Sequence, residues 1–385
     1  MTGARSRRWP WGPAAGVAGL ALALVAGPAG ATHDERFAEQ WNLAQIGAPA
    51  AWATSTGQGV TVGIVDTGVD VDHPDLAGKV DALATCLGGP CREGAAPDRI
   101  GHGTAMAGVV AAAHDGVGIV GVAPDARLVV AKAIADDGMG TTADINNAIR
   151  WVVDRGADVV NLSLGGADRR FVTLAGTPLA SGIEYAWSRG AIPVLAAGNY
   201  DDVLADDVPA DEGLLGESAS YNYGDLDAVV VGATDRGGEV AGYSVALGDA
   251  KWGVVAPGGG DEPAEGVLVP LPGRRHAVVS GTSVAAPHVA GILALLRAQD
   301  LPPAEAVDRL LATAEAGSCG RGCRGRVRAD AAVASSVAVT EARSQEAEVR
   351  AGQSGGDGRV DPALAALAAV LAALAAAGTA TVARR

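Results

Sequence analysis

The sequence predicts an α/β fold, a mostly parallel sheet with helices on both faces. Three observations carry that expectation. Short apolar runs rich in β-branched residues recur along the middle of the chain, stretches of helical character separate them, and polar residues able to do chemistry fall where the apolar runs stop. Strands that read as nearly continuous apolar runs are buried on both faces, and the intervening helices supply the cover.

The elements follow in order. The first strand is 60–65, Val-Thr-Val-Gly-Ile-Val, and the next is 128–133. Between them lies a helix of small residues, 103–113, with His102 in its first turn. A helix at 142–154 leads to a strand at 158–164, and a helix at 179–189 leads to a strand at 192–197. Strands at 228–232 and 253–256 precede a long apolar helix at 283–298. Pro287 is expected in an early turn of that helix, where a missing N–H costs little. In such sheets the working residues gather at the carboxyl ends of the strands.

Composition narrows the function. In 385 residues, 29 Lys and Arg stand against 44 Asp and Glu, a net charge of −15 that excludes nucleic acid or anionic lipid as the main partner. Hydrophobic residues make up 49 % but aromatics only 4 %, and 55 glycines point to close backbone packing, which excludes disorder over the whole length. Long apolar runs without charge occur only at the two ends, so a multi-pass transporter is excluded too.

Those ends read as addresses. Arg5, Arg7 and Arg8, an apolar stretch at 14–26 and Ala29-Gly30-Ala31 form the pattern of a signal peptide, 1–31, cleaved after Ala31. The stretch 363–382 carries no charge and is followed by Arg384 and Arg385. That is about the 20 residues of a bilayer span, with a basic end suited to the cytoplasm. The expected organisation is therefore a core domain at 32–334, a Ser/Gly/Gln/Asp-rich tether at 335–361, a transmembrane helix at 362–383 and a tail at 384–385. The protein would be exported, single-pass, with its core outside the membrane. The competing reading of the Ala-rich run is a soluble amphipathic helix, since Leu364, Leu367, Val370, Leu371 and Leu374 recur at helical spacing. Four cysteines in two close pairs, Cys86 with Cys91 and Cys319 with Cys323, fit two small-loop disulfides in an exported chain. A zinc site is the alternative, disfavoured because neither pair is C-x-x-C.

Three short motifs fall at strand or helix ends. Asp66 closes the first strand in Val65-Asp66-Thr67-Gly68, His102 stands in Gly101-His102-Gly103-Thr104, and Ser283 opens the last helix in Gly281-Thr282-Ser283-Val284-Ala285-Ala286-Pro287-His288. Taken singly they read as a turn, a chance tripeptide and an N-cap. Together they supply an orienting carboxylate, a base and a nucleophile in the order Asp, His, Ser, one of the known orders of serine hydrolases.

With these motifs, the chain resembles the subtilases, serine peptidases of the subtilisin type. The resemblance rests on VTVGIVDTGVDVDHPDL (60–76), GHGTAMAGVVAA (101–112), GVAPDARLVVAKAI (121–134), NLSLGG (161–166), PVLAAGN (193–199) and SGTSVAAPHVAGILALL (280–296), with QWNLAQIGAPAAW (40–52) as the lead-in. It covers about 40–315. It implies a three-layer subtilisin-like fold and an endopeptidase acting on polypeptide through an acyl-enzyme, with no cofactor for the chemistry. Ser283 would be the nucleophile, His102 the general base, Asp66 the carboxylate that orients it, and Asn199 a donor to the oxyanion beside the Ser283 backbone N–H. A serine hydroxyl needs such a base at neutral pH, and the developing oxyanion needs donors. Ser163, Leu164 and Gly165 would form one edge for an extended substrate and the turn around Gly138 the other. Asp75 and Asp115 fall where some members hold a structural calcium ion, whose preference is for oxygen ligands.

The short stretch between Ala31 and the core leaves no room for the folded prodomain of many relatives. With the disulfides and the anchor, this resembles the mycosins, membrane-bound subtilases of type VII secretion systems, and makes secretion-system components candidate partners. The alternative to a peptidase is a catalytically silent peptide-binding or secretion subunit on the same fold, which has no need of all four of Asp66, His102, Ser283 and Asn199.

Overall fold

The computed structural model describes residues 34–164, 178–199, 223, 225–317 and 319–334. Its strands are β1 (Thr61–Asp66), β2 (Val80–Thr85), β3 (Arg92–Glu93), β4 (Arg127–Lys132), β5 (Val159–Leu162), β6 (Ile192–Ala196), β7 (Val229–Thr234), β8 (Trp252–Pro257), β9 (Val267–Leu271), β10 (Arg275–Val279) and β11 (Cys323–Arg326). The helices are α1 (Trp41–Gln45), α2 (Ala48–Ala51), α3 (His102–Ala111), α4 (Thr142–Asp154), α5 (Pro178–Ser188), α6 (Thr282–Arg297) and α7 (Pro303–Ala312).

Nine strands form one sheet in the order β11-β8-β7-β6-β5-β1-β4-β2-β3. Every neighbouring pair is parallel except β2 with β3. A separate antiparallel hairpin joins β9 and β10. The six strands expected from sequence appear within two residues of their expected limits, as do the four helices. The sequence reading did not place β2, β3, β11, α7 or the hairpin. Strand β2 is half-exposed and carries Asp81, and β10 is largely solvent-facing, so neither shows a continuous apolar run.

Alternation along β1 builds the three layers. Val62 and Ile64 pack with Ala107, Val110, Ala285, Val289 and other residues of α3 and α6 on one face. Val65 packs on the other face with Ile145, Ile149 and Val152 of α4 and Ile183 of α5. Gly63 faces that second layer too, and a Cβ there would come within 2.8 Å of a Val152 methyl. The side-chain period of two thus sends successive residues of one strand into two separate cores.

The topology also positions the site. Strand β4 lies on one side of β1 and the next strand, β5, on the other, so the chain reverses its progress across the sheet at β1. The crevice at the carboxyl end of such a strand is where open α/β sheets bind ligands. Both cysteine pairs are bonded, Cys86–Cys91 at 2.01 Å and Cys319–Cys323 at 2.04 Å, so neither is a thiolate zinc site. Among the described residues no helix is long and apolar enough to cross a membrane. The expected signal peptide at 1–31, tether at 335–361, span at 362–383 and tail at 384–385 lie outside the described residues.

Candidate active site

Asp66 ends β1 and is fully buried. Its Oδ1 accepts from the Thr67 N–H at 2.7 Å and pairs with His102 Nδ1 at 2.8 Å. His102 opens α3, its side chain 13 % exposed against 0 % for Asp66. The approach is tight. A Cβ at Gly103 would lie 2.1 Å from the Gly68 carbonyl oxygen and 3.2 Å from Asp66 Cβ, so only glycine lets the first turn of α3 press against the end of β1.

A buried carboxylate fixes that turn. Asp98 Oδ1 accepts from the Thr67 hydroxyl at 2.9 Å, the Gly101 N–H at 2.7 Å and the Ile100 N–H at 3.1 Å. Its Oδ2 accepts from the N–H and hydroxyl of Thr104 at 2.9 and 2.7 Å. An acceptor for the otherwise orphaned N–H groups of a first turn stabilises the helix start, and its charge complements the helix dipole. The sequence reading missed Asp98. The available signal was a carboxylate a few residues ahead of a helix of small residues.

These charges act on His102. Burial, the largest single influence, disfavours its imidazolium, but the charge and hydrogen bond of Asp66 and the charge of Asp98 together outweigh it. The pKa stands above the ordinary 6.5.

Ser283 lies in the first turn of α6, one residue before Val284. Val284 shares a small apolar cluster with Ala105, Met106 and Val109 of α3, which sets the two helix starts side by side. Asn199 follows β6, and its Oδ1 accepts from the N–H and hydroxyl of Thr282, both at 3.1 Å. That commits the oxygen end of the amide and turns Nδ2 toward the serine. The point where a Cβ at Gly281 would sit lies 3.1 Å from Ser283 Oγ and 3.8 Å from both Asn199 Nδ2 and the Ser283 backbone nitrogen. One hydroxyl and two nitrogen donors therefore surround a space that any side chain at 281 would fill.

Ser163, expected on the substrate edge, has a hydroxyl with another use. It is buried just beyond β5, accepts from Asn161 Nδ2 at 2.9 Å and donates to the Ser283 carbonyl at 2.7 Å. Pro287 explains the need. It lies inside α6, beyond the early turn expected from sequence. A residue at that position would normally donate its N–H to the carbonyl four residues back, that of Ser283, and proline has none. Ser163 supplies the missing donor.

The remaining site residues divide. Leu164 packs at the margin of the core beneath α4, and Gly165 lies outside the described residues. Gly138 occupies an exposed turn, its N–H donating to the Ala135 carbonyl at 3.0 Å. Asp115 is exposed and holds its own turn, Oδ1 accepting from the Val117 N–H at 3.1 Å. Asp75 is fully buried, its Oδ2 paired with His276 Nε2 at 2.8 Å. One oxygen of Asp75 thus faces an imidazole nitrogen, while Oδ1 is buried without a hydrogen-bond partner.

Comparison with known proteins shows the family. The sequence matches the subtilase family over residues 57–354. Thermitase of Thermoactinomyces vulgaris is 35 % identical over 264 residues, 68 % of this chain and 82 % of the relative. Subtilisin BL of Lederbergia lenta is 34 % identical over 258 residues, 67 % of this chain and 83 % of the relative. Among solved structures, a protease of Pseudoalteromonas arctica PAMC 21717 superposes with a TM-score of 0.67 at 31 % identity, covering 79 % of this chain and 98 % of its own. The chain belongs to the subtilase family and is a serine-type endopeptidase.

Proposed function

We propose that the chain cleaves peptide bonds through Asp66, His102 and Ser283, by way of an acyl-enzyme. The observation that carries this reading is the 2.8 Å contact between His102 Nδ1 and Asp66 Oδ1. With Nδ1–H donating to the carboxylate, the lone pair of the neutral ring is on Nε2, the nitrogen that takes the proton of Ser283 Oγ as the oxygen attacks the scissile carbonyl. The imidazolium so formed is stabilised by Asp66 and passes its proton to the leaving amine. Asn199 Nδ2 and the Ser283 N–H donate to the oxyanion at the space beside Gly281. Water, deprotonated by the same ring, then releases the acyl product.

The substrate is polypeptide, paired in extended form along Ser163-Leu164-Gly165 and the Gly138 turn. On the sequence of its two ends, the enzyme is exported and held at the outer face of a membrane by 362–383. A chain ending at Ser354 then leaves the membrane fraction, and its retention there overturns the anchor. For the chemistry, initial rates of peptide-amide hydrolysis are compared for the full chain and its Ser283→Ala variant. Hydrolysis is expected to vanish in the variant; unchanged turnover refutes the assignment.

A further inference from the structure

The two donors assigned to the oxyanion belong to different elements, and their separation has to be fixed from outside either one. Asn199 follows β6, whereas the Ser283 N–H belongs to the start of α6. The segment 241–245, between β7 and β8, touches both. On one side the Val245 N–H donates to the Gly198 carbonyl at 3.0 Å, and Ser244 pairs with Asn199 in an isolated antiparallel bridge. The Ser244 hydroxyl accepts from the Ala233 N–H at 3.0 Å, which holds the segment on β7.

Tyr243 reaches the other side. Its hydroxyl lies 2.9 Å from the Gly258 carbonyl oxygen and 2.7 Å from that of Gly259, and its one proton serves both. Burial pushes the phenol pKa up, so the group keeps that proton as a donor. The Gly281 N–H donates to the same Gly258 carbonyl at 2.9 Å and also bonds the phenol oxygen. The contact is close, since a Cβ at Gly258 would come within 2.8 Å of the Gly281 carbonyl oxygen. A return tie completes the clasp. The Asp261 carboxylate, on the same glycine loop, accepts from the Gly242 and Tyr243 N–H groups, both at 3.3 Å.

We propose that Tyr243 is a positioning residue for the oxyanion site: its hydroxyl fixes the Gly258–Gly259 loop against Gly281, and so sets the Ser283 N–H at its distance from Asn199 Nδ2. The inference rests on the roles proposed above for Ser283 and Asn199. Donors stabilise an oxyanion only when they are held at about 2.7–3.1 Å from where it forms, and a shift of about 1 Å can cost about 100-fold in rate. Without the phenol proton, two glycine carbonyls lose a donor and the loop that carries them is free to relax. Gly281, which hangs on one of those carbonyls, follows it. The negative charge exists in the transition state and not in the bound substrate, so the loss falls on kcat rather than KM.

The test is Tyr243→Phe in the full chain, with active sites titrated so that only folded enzyme is counted. On a peptide amide kcat should fall about tenfold, less than the 100- to 1000-fold of losing a donor outright, with KM within about twofold. Affinity for a peptidyl trifluoromethyl ketone, whose adduct carries an oxyanion, should weaken by the same factor. In the Asn199→Ala background the loss should shrink, because the distance that Tyr243 sets no longer matters. An unchanged kcat, a rise in KM alone, unaltered ketone affinity or full additivity with Asn199→Ala overturns the role of Tyr243. Hydrolysis that survives Ser283→Ala, or a kcat indifferent to Asn199→Ala, overturns the underlying site instead. If the Phe variant does not fold, Asp261→Asn, an exposed change that loosens the same clasp, is read by the same measurements and the same outcomes.

Discussion

Two aspartate–histidine pairs in this molecule share a separation of 2.8 Å, Asp66 with His102 and Asp75 with His276. Both carboxylates are fully buried, and each has a second oxygen without a hydrogen-bond partner. Their surroundings separate them. At Asp66 a single imidazole stands at a helix start, flanked by the charge of Asp98 and beside the α6 turn that carries Ser283. At Asp75 the carboxylate meets the imidazole of His276, and the neighbouring His73 ring accepts the Asp75 N–H through Nδ1. An Asp–His contact is therefore not in itself catalytic: the groups around it decide whether the pair can move a proton.

The comparison breaks most visibly at Asp66. Asp66→Asn replaces the carboxylate with an amide whose NH2 can face His102 and select the wrong tautomer, and kcat on a peptide amide should fall about 10⁴-fold. A fall of less than tenfold would place the pair with the structural one. Asn199→Ala should lower kcat by about 100- to 1000-fold with little change in KM, a range established on subtilisin, a relative of this chain. A rise in KM alone would assign Asn199 to substrate binding instead.

A third buried histidine sharpens the contrast, having no carboxylate at all. His288 is fully buried, bonded through Nδ1 to the Val284 carbonyl and through Nε2 to Asn42, both at 2.8 Å. Burial pushes its pKa down to about 4, the Val284 carbonyl opposing that fall only in part. The unfolded chain therefore binds a proton near pH 6.5 that the folded chain refuses until about 4. Stability is complete above that window and is lost as pH falls through it, by about 3 kcal/mol for this group. Urea midpoints of the full chain and of His288→Gln between pH 7 and 4 check this: the variant's curve should be flatter, and parallel curves would reject the assignment.

Smaller effects probe how the serine turn and the base are held. Ser163→Ala leaves the part-buried Ser283 carbonyl without its donor and should cost about 1 kcal/mol in urea unfolding. Pro287→Ala restores a main-chain donor, so the double variant should recover part of that loss; simple additivity would dissociate the two residues. Asp98→Asn removes a charge that favours the imidazolium. The acidic limb of kcat/KM should then shift to lower pH, whereas an unmoved limb with lower stability would leave Asp98 a helix cap alone.

Legibility in the sequence follows burial and locality. The central strands were readable because both faces are covered, which makes their apolar runs continuous, as in β7 and β6. Asp66, His102 and Ser283 were readable because each sits in a short motif at the end of an element. The β9–β10 hairpin was not, since residues such as Val278, 47 % exposed, face solvent and blur the pattern. Nor was the union of His73 and His276, some two hundred residues apart, or the link of Ser163 to the carbonyl released by Pro287. Those depend on register and helix placement, which no local pattern records.

The central claim is that His102 activates the hydroxyl of Ser283. A serine-directed fluorophosphonate, followed by peptide mapping across a pH series, tests it most directly. The account predicts one adduct, on Ser283, formed at a rate that rises through an imidazole pKa above 6.5 and collapses in His102→Ala. An adduct on another residue, or labelling of Ser283 indifferent to the loss of His102, would contradict it.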